Sequence, residues 1–160
     1  MKPYFKLMRV HHYIKNLLVF TALFCSGQMF SIDKLASGTI GFLAFCMTSS
    51  TIYIINDIFD LKNDQKHPIK CHRPIASGSV SLSQARIMAV VLFLLSVLCN
   101  LLVFRPESTL LLILYFLINL LYSRGLKNVP IIDIAILVTG FFIRILYGAS
   151  LTEITISNWL

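Results

Sequence analysis

Apolar residues in this chain are gathered into long blocks that short polar stretches separate. A block of roughly 20 apolar residues can cross the hydrocarbon core of a bilayer as a helix, and the narrow apolar stripe of a soluble helix is not the main pattern here. We therefore expect membrane-spanning helices at residues 13–30, 35–56, 85–104, 109–121 and 131–149. The first block is short for a span, so a tilted or half-interfacial placement stays open for it.

Two local signals refine this pattern. Ser81, followed by Gln84 three residues later, has the capping-box pattern that predicts the start of a helix. Trp159 has the character of an interfacial anchor at the opening of a sixth span, and we expect the sequence to be the first part of a longer protein. The predicted fold is all-α: one polytopic transmembrane helical bundle over residues 1–160, with about five spans and the start of a sixth.

Composition supports a membrane protein. Hydrophobic residues make up 57% of the chain and charged residues 13%, against roughly 25% charged residues in a soluble domain. A net charge of +7 can indicate nucleic-acid binding, but in so apolar a chain basic residues first report topology, and we expect no nucleic-acid partner. The four cysteines form no Cys-x-x-Cys pair, so we expect neither a zinc site nor a disulfide framework.

The distribution of basic residues predicts the orientation. Eleven of the 14 Lys and Arg residues lie before or at the start of the first block, in loop 57–84 with its exit, or in loop 122–130, and two lie in the opposite loops. Because Lys and Arg accumulate on the cytoplasmic side, we expect the N-terminus and both loops in the cytoplasm. The predicted location is the cell membrane, inner or plasma, which the chain crosses several times.

The most polar stretch, residues 56–78, holds the first candidate site. If the second span continues as a helix past Asn56, then Asn56, Asp60 and Asp64 project from one face, with Asp57 one step around. Stacked carboxylates repel one another unless a cation lies between them. Mg²⁺ suits this place because it takes one or two carboxylates together with substrate phosphates. The stretch therefore predicts a Mg²⁺ site at these four residues, in contact with a phosphorylated substrate.

Two basic residues follow the acidic ones. His67 is expected to end the helix, because the residue before Pro68 is pushed out of the α region. Lys70 and Arg73 would then meet a phosphate group from the opposite side, Arg73 through its planar fork and Lys70 as a point charge. The alternative is a polar loop whose mixed charges serve only topology and solubility.

Three further candidates lie at or inside the spans. Arg144 lies within the last block, where a charge is costly and indicates either a functional site or helix pairing. Its helix neighbour Asp133 is about 16 Å away along the axis, so Arg144 must meet another span or a lipid phosphate. Lys15 and Asn16 lie where they could contact phosphate, although topology explains Lys15 as well.

The pattern Asn56-Asp57-x-x-Asp60-x-x-x-Asp64 is similar to the first aspartate-rich motif of the UbiA superfamily of intramembrane prenyltransferases. Its continuation resembles the decaprenyl-phosphate phosphoribosyltransferase branch, as do three further stretches; these four segments are 67–78, 13–20, 122–127 and 133–149. Tyr122 and Lys127 are five positions apart, whereas the wider superfamily uses four, and this spacing favours the phosphoribosyl branch.

The resemblance implies a helical bundle around a cavity that opens to the cytoplasm and to lipid. It further implies that Mg²⁺ binds the pyrophosphate of phosphoribosyl pyrophosphate while a polyprenyl phosphate attacks the anomeric carbon. The catalytic candidates are then Asp60, Lys70, Arg73, Tyr122 and Lys127. A second metal-binding region of the superfamily would lie beyond Leu160.

Three other functions stay open. An aromatic prenyltransferase of quinone or haem biosynthesis would hold a polyprenyl diphosphate on the same carboxylates. A membrane carrier for phosphorylated lipid or divalent cations would bind its ligand without releasing pyrophosphate. An inactive fragment would lack the second half of the site.

Overall fold

The computed structural model describes residues 2–103, 105–125 and 130–155, which form helices joined by turns. Four of the described helices are long and apolar enough to cross a membrane. The α-helices in chain order are α1 (Lys2–Met8), α2 (Thr21–Cys25), α3 (Ile32–Phe59), α4 (Leu61–Asp64), α5 (Leu82–Leu102), α6 (Pro106–Arg124) and α7 (Pro130–Leu151). Helices α3, α5, α6 and α7 correspond to the second to fifth predicted spans, and the chain is an all-α, membrane-embedded, multi-pass protein. Residues 156–160, where a sixth span was expected, lie outside the described residues.

The first predicted span, residues 13–30, has a different structure. It divides into a 3₁₀ helix at Val10–Phe20 and the short helix α2. The reason lies in packing: the 3₁₀ helix buries Asn16 and Val19 against α3 and α7. The structure therefore has no continuous α-helix over residues 13–30, and the placement of this segment in the membrane stays a prediction.

Helix α3 is the centre of the bundle. Its apolar window is 61% buried, whereas those of α5, α6 and α7 are only 22–28% buried and leave their outer apolar faces for lipid. Small side chains on α3, such as Ser49 and Ser50, let neighbouring backbones approach closely. One hydrophobic core packs α3 against α6 and α7 and includes Phe45, Tyr115 and Tyr147; the Phe45 ring packs against both tyrosine rings.

Two helix boundaries position the polar segment. Helix α3 ends at Phe59, and the amide of Asp60 still donates to the Asn56 carbonyl over 2.9 Å. Asp60 then turns the chain, with ψ near zero, before the four-residue helix α4. The prediction of one unbroken helix as far as His67 is therefore wrong. Beyond the segment, the predicted capping box of Ser81 and Gln84 is confirmed at the start of α5.

Candidate functional site

Two of the predicted metal ligands form buried ion pairs with arginines. Asp57 is 3% exposed and accepts from Arg9 over 2.6 Å and from Arg73 over 3.2 Å. Asp64, which is 2% exposed, accepts from Arg73 over 2.7 Å. Arg73 thus bridges two acids in this conformation. The sequence analysis had instead placed Arg73 opposite the acids, in contact with a phosphate group. The two carboxylates and two guanidinium groups largely neutralise one another, which lowers the free-energy cost of burying the carboxylates.

Asn56 and Asp60 are placed differently. The Oδ1 atom of Asn56 is buried and has no hydrogen-bond partner among the described residues. A buried acceptor without a donor is costly, and a cation would remove that cost. Asp60 is partly exposed one turn further along the chain. The amide oxygen and this carboxylate are the hard ligands that Mg²⁺ takes when substrate phosphates complete its shell.

Metal binding at this site stays a prediction. In the described part of the chain, no three His, Cys, Asp or Glu side chains are grouped so as to hold a metal ion by themselves. The residues present therefore fit a Mg²⁺ that shares its ligands with a substrate rather than one enclosed by protein. Asp57 and Asp64 already accept from arginines, so a metal bound there would share their carboxylates with Arg9 and Arg73.

Lys70 lies in a short 3₁₀ turn, Lys70–His72, and is exposed. The ring of His67 fixes the start of this turn by accepting from the amides of Ile69 and Lys70. The Lys6 ammonium donates to the carbonyl of His72 over 3.1 Å and ties the turn to α1. Lys70 is therefore an exposed cation on a positioned turn, where it can approach a phosphate from solution.

A cavity of about 180 Å³ lies beside this cluster, between the 3₁₀ helix and helices α3, α6 and α7. Its polar lining consists of Lys15, Tyr53, Tyr115, Asn119, Tyr122, Asp133 and Arg144. Tyr53, Asn56 and Asp60 are spaced at i, i+3 and i+7, so they follow one face of α3. The polar cavity and the predicted metal ligands are therefore neighbours.

Arg144 is the buried cation of this cavity. It is 7% exposed and donates to Asn16 Oδ1 and to the Tyr115 hydroxyl, each over 2.9 Å, and to the Gly140 carbonyl. Its guanidinium also lies over the ring of Phe45, 5.1 Å from the centroid. All of these partners are uncharged. The expectation that Arg144 meets groups outside its own helix is confirmed, and its positive charge remains available to an anion in the cavity.

Asn16 has a different place from the one expected. It is 1% exposed, and its amide nitrogen donates to Cys46 Sγ over 3.2 Å and to Ser49 Oγ over 3.5 Å. Its oxygen is used by Arg144. Asn16 is therefore a positioning residue for Arg144 in this conformation, whereas Lys15 is exposed at the cavity.

Tyr122 closes the other side of the cavity. Its hydroxyl donates to Asp133 Oδ1 over 2.9 Å, and Asp60 is close enough to interact with it electrostatically. The second member of this predicted pair, Lys127, lies outside the described residues. The structure thus connects Tyr122 to the aspartate motif, while the role of Lys127 stays a prediction.

The approach to the site carries a positive potential. Burial lowers the pKa of His12, and the nearby charges of His11, Lys15 and Arg9 lower it further. Burial is the larger cause, and the cationic neighbours add to it. Such a field attracts anionic substrates.

Sequence reasoning missed several residues of the site. Arg9 was interpreted as a topology signal, and Tyr115 and Asn119 were treated as parts of an apolar block. Tyr115 and Asn119 could have been found from one signal: they are polar side chains inside a predicted span, where burying a polar group costs free energy.

Several known proteins are similar to this chain. The model of the UbiA prenyltransferase family matches residues 17–160. The decaprenyl-phosphate phosphoribosyltransferase of Corynebacterium glutamicum is 34% identical over 157 residues, covering 96% of this chain and 47% of the relative. The protein of the same name from Mycolicibacterium smegmatis is 34% identical over 158 residues, covering 96% and 49%. The chain spans about half the length of these curated relatives.

A second kind of relative also matches. The digeranylgeranylglyceryl phosphate synthase of Sulfurisphaera tokodaii is 31% identical over 147 residues, covering 88% of this chain and 51% of that protein. A solved structure from a study of digeranylgeranylglyceryl phosphate synthase in membranes has a TM-score of 0.79 at 22% identity. The superposition covers 94% of this chain and 52% of that one, and it shows a shared fold.

Proposed function

The chain belongs to the UbiA prenyltransferase family, and we propose that it supplies the first half of the active site of a Mg²⁺-dependent phosphoribosyltransferase. The enzyme would transfer phosphoribose from phosphoribosyl pyrophosphate to a polyprenyl phosphate within the membrane. The observation that carries this proposal is the buried, unpartnered Asn56 Oδ1 on the same helix face as Asp60, beside a cavity with a buried cation. Relatives of that activity at 34% identity support the choice of substrate.

The proposed reaction does not require a strong general base. A phosphate monoester is already a nucleophile at neutral pH, so its oxygen can attack the anomeric carbon directly. The new carbon–oxygen bond forms as the bond to pyrophosphate breaks, and pyrophosphate leaves with the electron pair. Mg²⁺, when bound, would neutralise charge on that leaving group. The protein then contributes mainly position and electrostatic stabilisation.

The residues divide this work by location. Asn56 and Asp60 would hold the metal at the end of α3. Lys15 and Arg144 provide positive charge on the cavity wall, and Lys70 offers a further cation from the exposed turn.

The orientation and location follow the same proposal. The basic N-terminus and the polar segment would face the cytoplasm of the cell membrane, where a soluble phosphorylated substrate is available. The polyprenyl chain would remain in the bilayer beside the lipid-facing helices.

Release of pyrophosphate tests the proposal. Membranes carrying the complete open reading frame would receive polyprenyl phosphate, phosphoribosyl pyrophosphate and Mg²⁺. We expect release that requires both substrates, falls by at least about 100-fold in Asp60→Asn, and persists in Asp33→Asn. Asp33 is a suitable control because it is an exposed aspartate at the opposite end of α3.

The rival activity has a distinct result. An aromatic prenyltransferase would be silent with these substrates and would consume an allylic diphosphate together with an aromatic acid. That outcome would contradict the phosphoribosyl proposal and leave the metal site in place.

A further inference from the structure

The cavity beside the aspartate motif contains a carboxylate that the proposed chemistry does not use. Asp133, on the first turn of α7, lines the cavity together with Tyr122 and Asn119. Its surroundings are otherwise rich in donors and cations, including Lys15 and Arg144. A carboxylate repels phosphate unless a metal ion lies between them, and the predicted metal ligands lie elsewhere, at and beyond the end of α3.

Asp133 is held in a defined position. The Tyr122 hydroxyl donates to its Oδ1 atom over 2.9 Å, which fixes the plane of the carboxylate against α6. An ionised carboxylate offers about four acceptor positions, so this one bond leaves acceptor capacity toward the cavity. Asn119, one turn before Tyr122 on α6, adds a side-chain amide whose nitrogen donates to the Tyr115 carbonyl over 2.8 Å. Its amide oxygen is a further acceptor next to Asp133.

The size and lining of the cavity fit a small hydroxylated ring. Its volume of about 180 Å³ leaves room for a small polar group. Ile136 and Phe141 add apolar surface to a lining in which most residues are polar. Carboxylates that accept hydrogen bonds from ribose hydroxyls are an established way to hold this sugar.

We propose that this cavity is the ring subsite of the phosphorylated substrate, and that Asp133 accepts hydrogen bonds from the sugar hydroxyls. The inference rests on the proposed phosphoribosyl transfer and adds a specificity-determining residue to it. Asp133 would favour a hydroxylated ring, which donates hydrogen bonds, over an aromatic acid, whose carboxylate it would repel. The pyrophosphate would extend from the ring toward Asn56 and Asp60 at the end of α3.

Binding measurements separate the ring from the pyrophosphate. The complete protein, purified in lipid nanodiscs with Mg²⁺, would be titrated with phosphoribosyl pyrophosphate and, separately, with inorganic pyrophosphate. We expect Asp133→Asn to weaken binding of the sugar substrate by about 10-fold or more and to change pyrophosphate binding by less than about twofold. Asp33→Asn serves as the matched control and should change neither.

Analogues keep the inference testable if Asp133→Asn does not fold. Phosphoribosyl pyrophosphate lacking one ring hydroxyl should bind the unmodified protein about 10-fold more weakly. In a folded Asp133→Asn protein, the same analogue should bind about as well as the complete substrate does.

The opposite results are equally specific. Equal weakening of both ligands in Asp133→Asn, or equal binding of the complete and deoxy substrates by the unmodified protein, would overturn the ring subsite alone. Failure of the unmodified protein to bind phosphoribosyl pyrophosphate at all would overturn the proposed function together with this inference.

Discussion

Arg9 and Asp57 form a 2.6 Å ion pair across 48 positions of sequence. Arg9 has a φ of 52°, in the left-handed region that non-glycine residues rarely adopt. The residue therefore turns the chain between α1 and the 3₁₀ helix while its side chain holds the end of α3. This one contact joins the N-terminal segment to the aspartate motif.

The pair predicts a measurable coupling. Arg9→Gln should lower thermal stability, because Asp57 is buried and would retain only Arg73. In a double-mutant cycle with Asp57→Asn we expect a coupling energy of about 1 to 3 kcal/mol. Unfolding of the protein in nanodiscs measures it, with Lys2→Gln, an exposed change on α1, as the control. Additive effects of the two substitutions would show that the pair contributes nothing.

How far the sequence predicts this structure depends on the range of each interaction. The apolar blocks predict α3, α5, α6 and α7, because span length and hydropathy are local properties. The capping box at Ser81 is equally local. In contrast, nothing local identifies Arg9 as the partner of Asp57, and its charge is explained just as well by topology.

The site shows the same division. Asn56 and Asp60 were predicted as metal ligands from their spacing; the end of α3 keeps that spacing, and their role at a metal stays a prediction. Asp64 was placed on the same face, but the turn at Asp60 and the ion pair with Arg73 redirect it. The hydrogen bond of Arg144 to Asn16 joins residues 128 positions apart. Such pairings require the tertiary fold, so composition and periodicity could not predict them.

Arg144→Lys is expected to damage the cavity even though it preserves the charge. An ammonium group cannot reproduce the planar guanidinium that reaches Asn16 and Tyr115 together. We expect a loss of about 2 kcal/mol or more in stability and weaker binding of the phosphorylated substrate. Thermal unfolding and titration measure the two effects, and the exposed Arg86→Lys on α5 is the matched control. Behaviour equal to that control would contradict a specific role for the guanidinium fork.

Gly148→Ala is expected to separate the 3₁₀ helix from α7. A methyl group at this position would lie 2.9 Å from Val19 Cα and closer still to the Val19 carbonyl, and backbone atoms cannot rotate away. Alanine favours a helix over glycine by roughly 1 kcal/mol. Because of the clash, we nevertheless expect the free energy of unfolding to fall by about 1 to 3 kcal/mol.

The comparison for this substitution is Gly38→Ala. There the nearest atom is on the Phe20 ring at 3.1 Å, and a side chain can move aside. Gly148→Ala should therefore lower the unfolding temperature more than Gly38→Ala does. Equal unfolding temperatures would mean that the contact between Gly148 and Val19 is loose.

Mg²⁺ should stabilise the protein through Asp60 more than through Asp64. Any ligand that binds only the folded state raises its stability by mass action, so Mg²⁺ with pyrophosphate should raise the unfolding temperature and EDTA should reverse the rise. We expect Asp60→Asn to abolish this response. Asp64→Asn should lower metal-free stability, because Arg73 loses its 2.7 Å partner, and should keep the response.

The two variants therefore distinguish metal binding from charge pairing within one motif. They carry the same chemical change four positions apart, so a general effect of removing a carboxylate would alter both alike. If Asp64→Asn abolishes the response to Mg²⁺ as completely as Asp60→Asn does, then Asp64 also serves the metal, either through its second carboxylate oxygen or after release from Arg73.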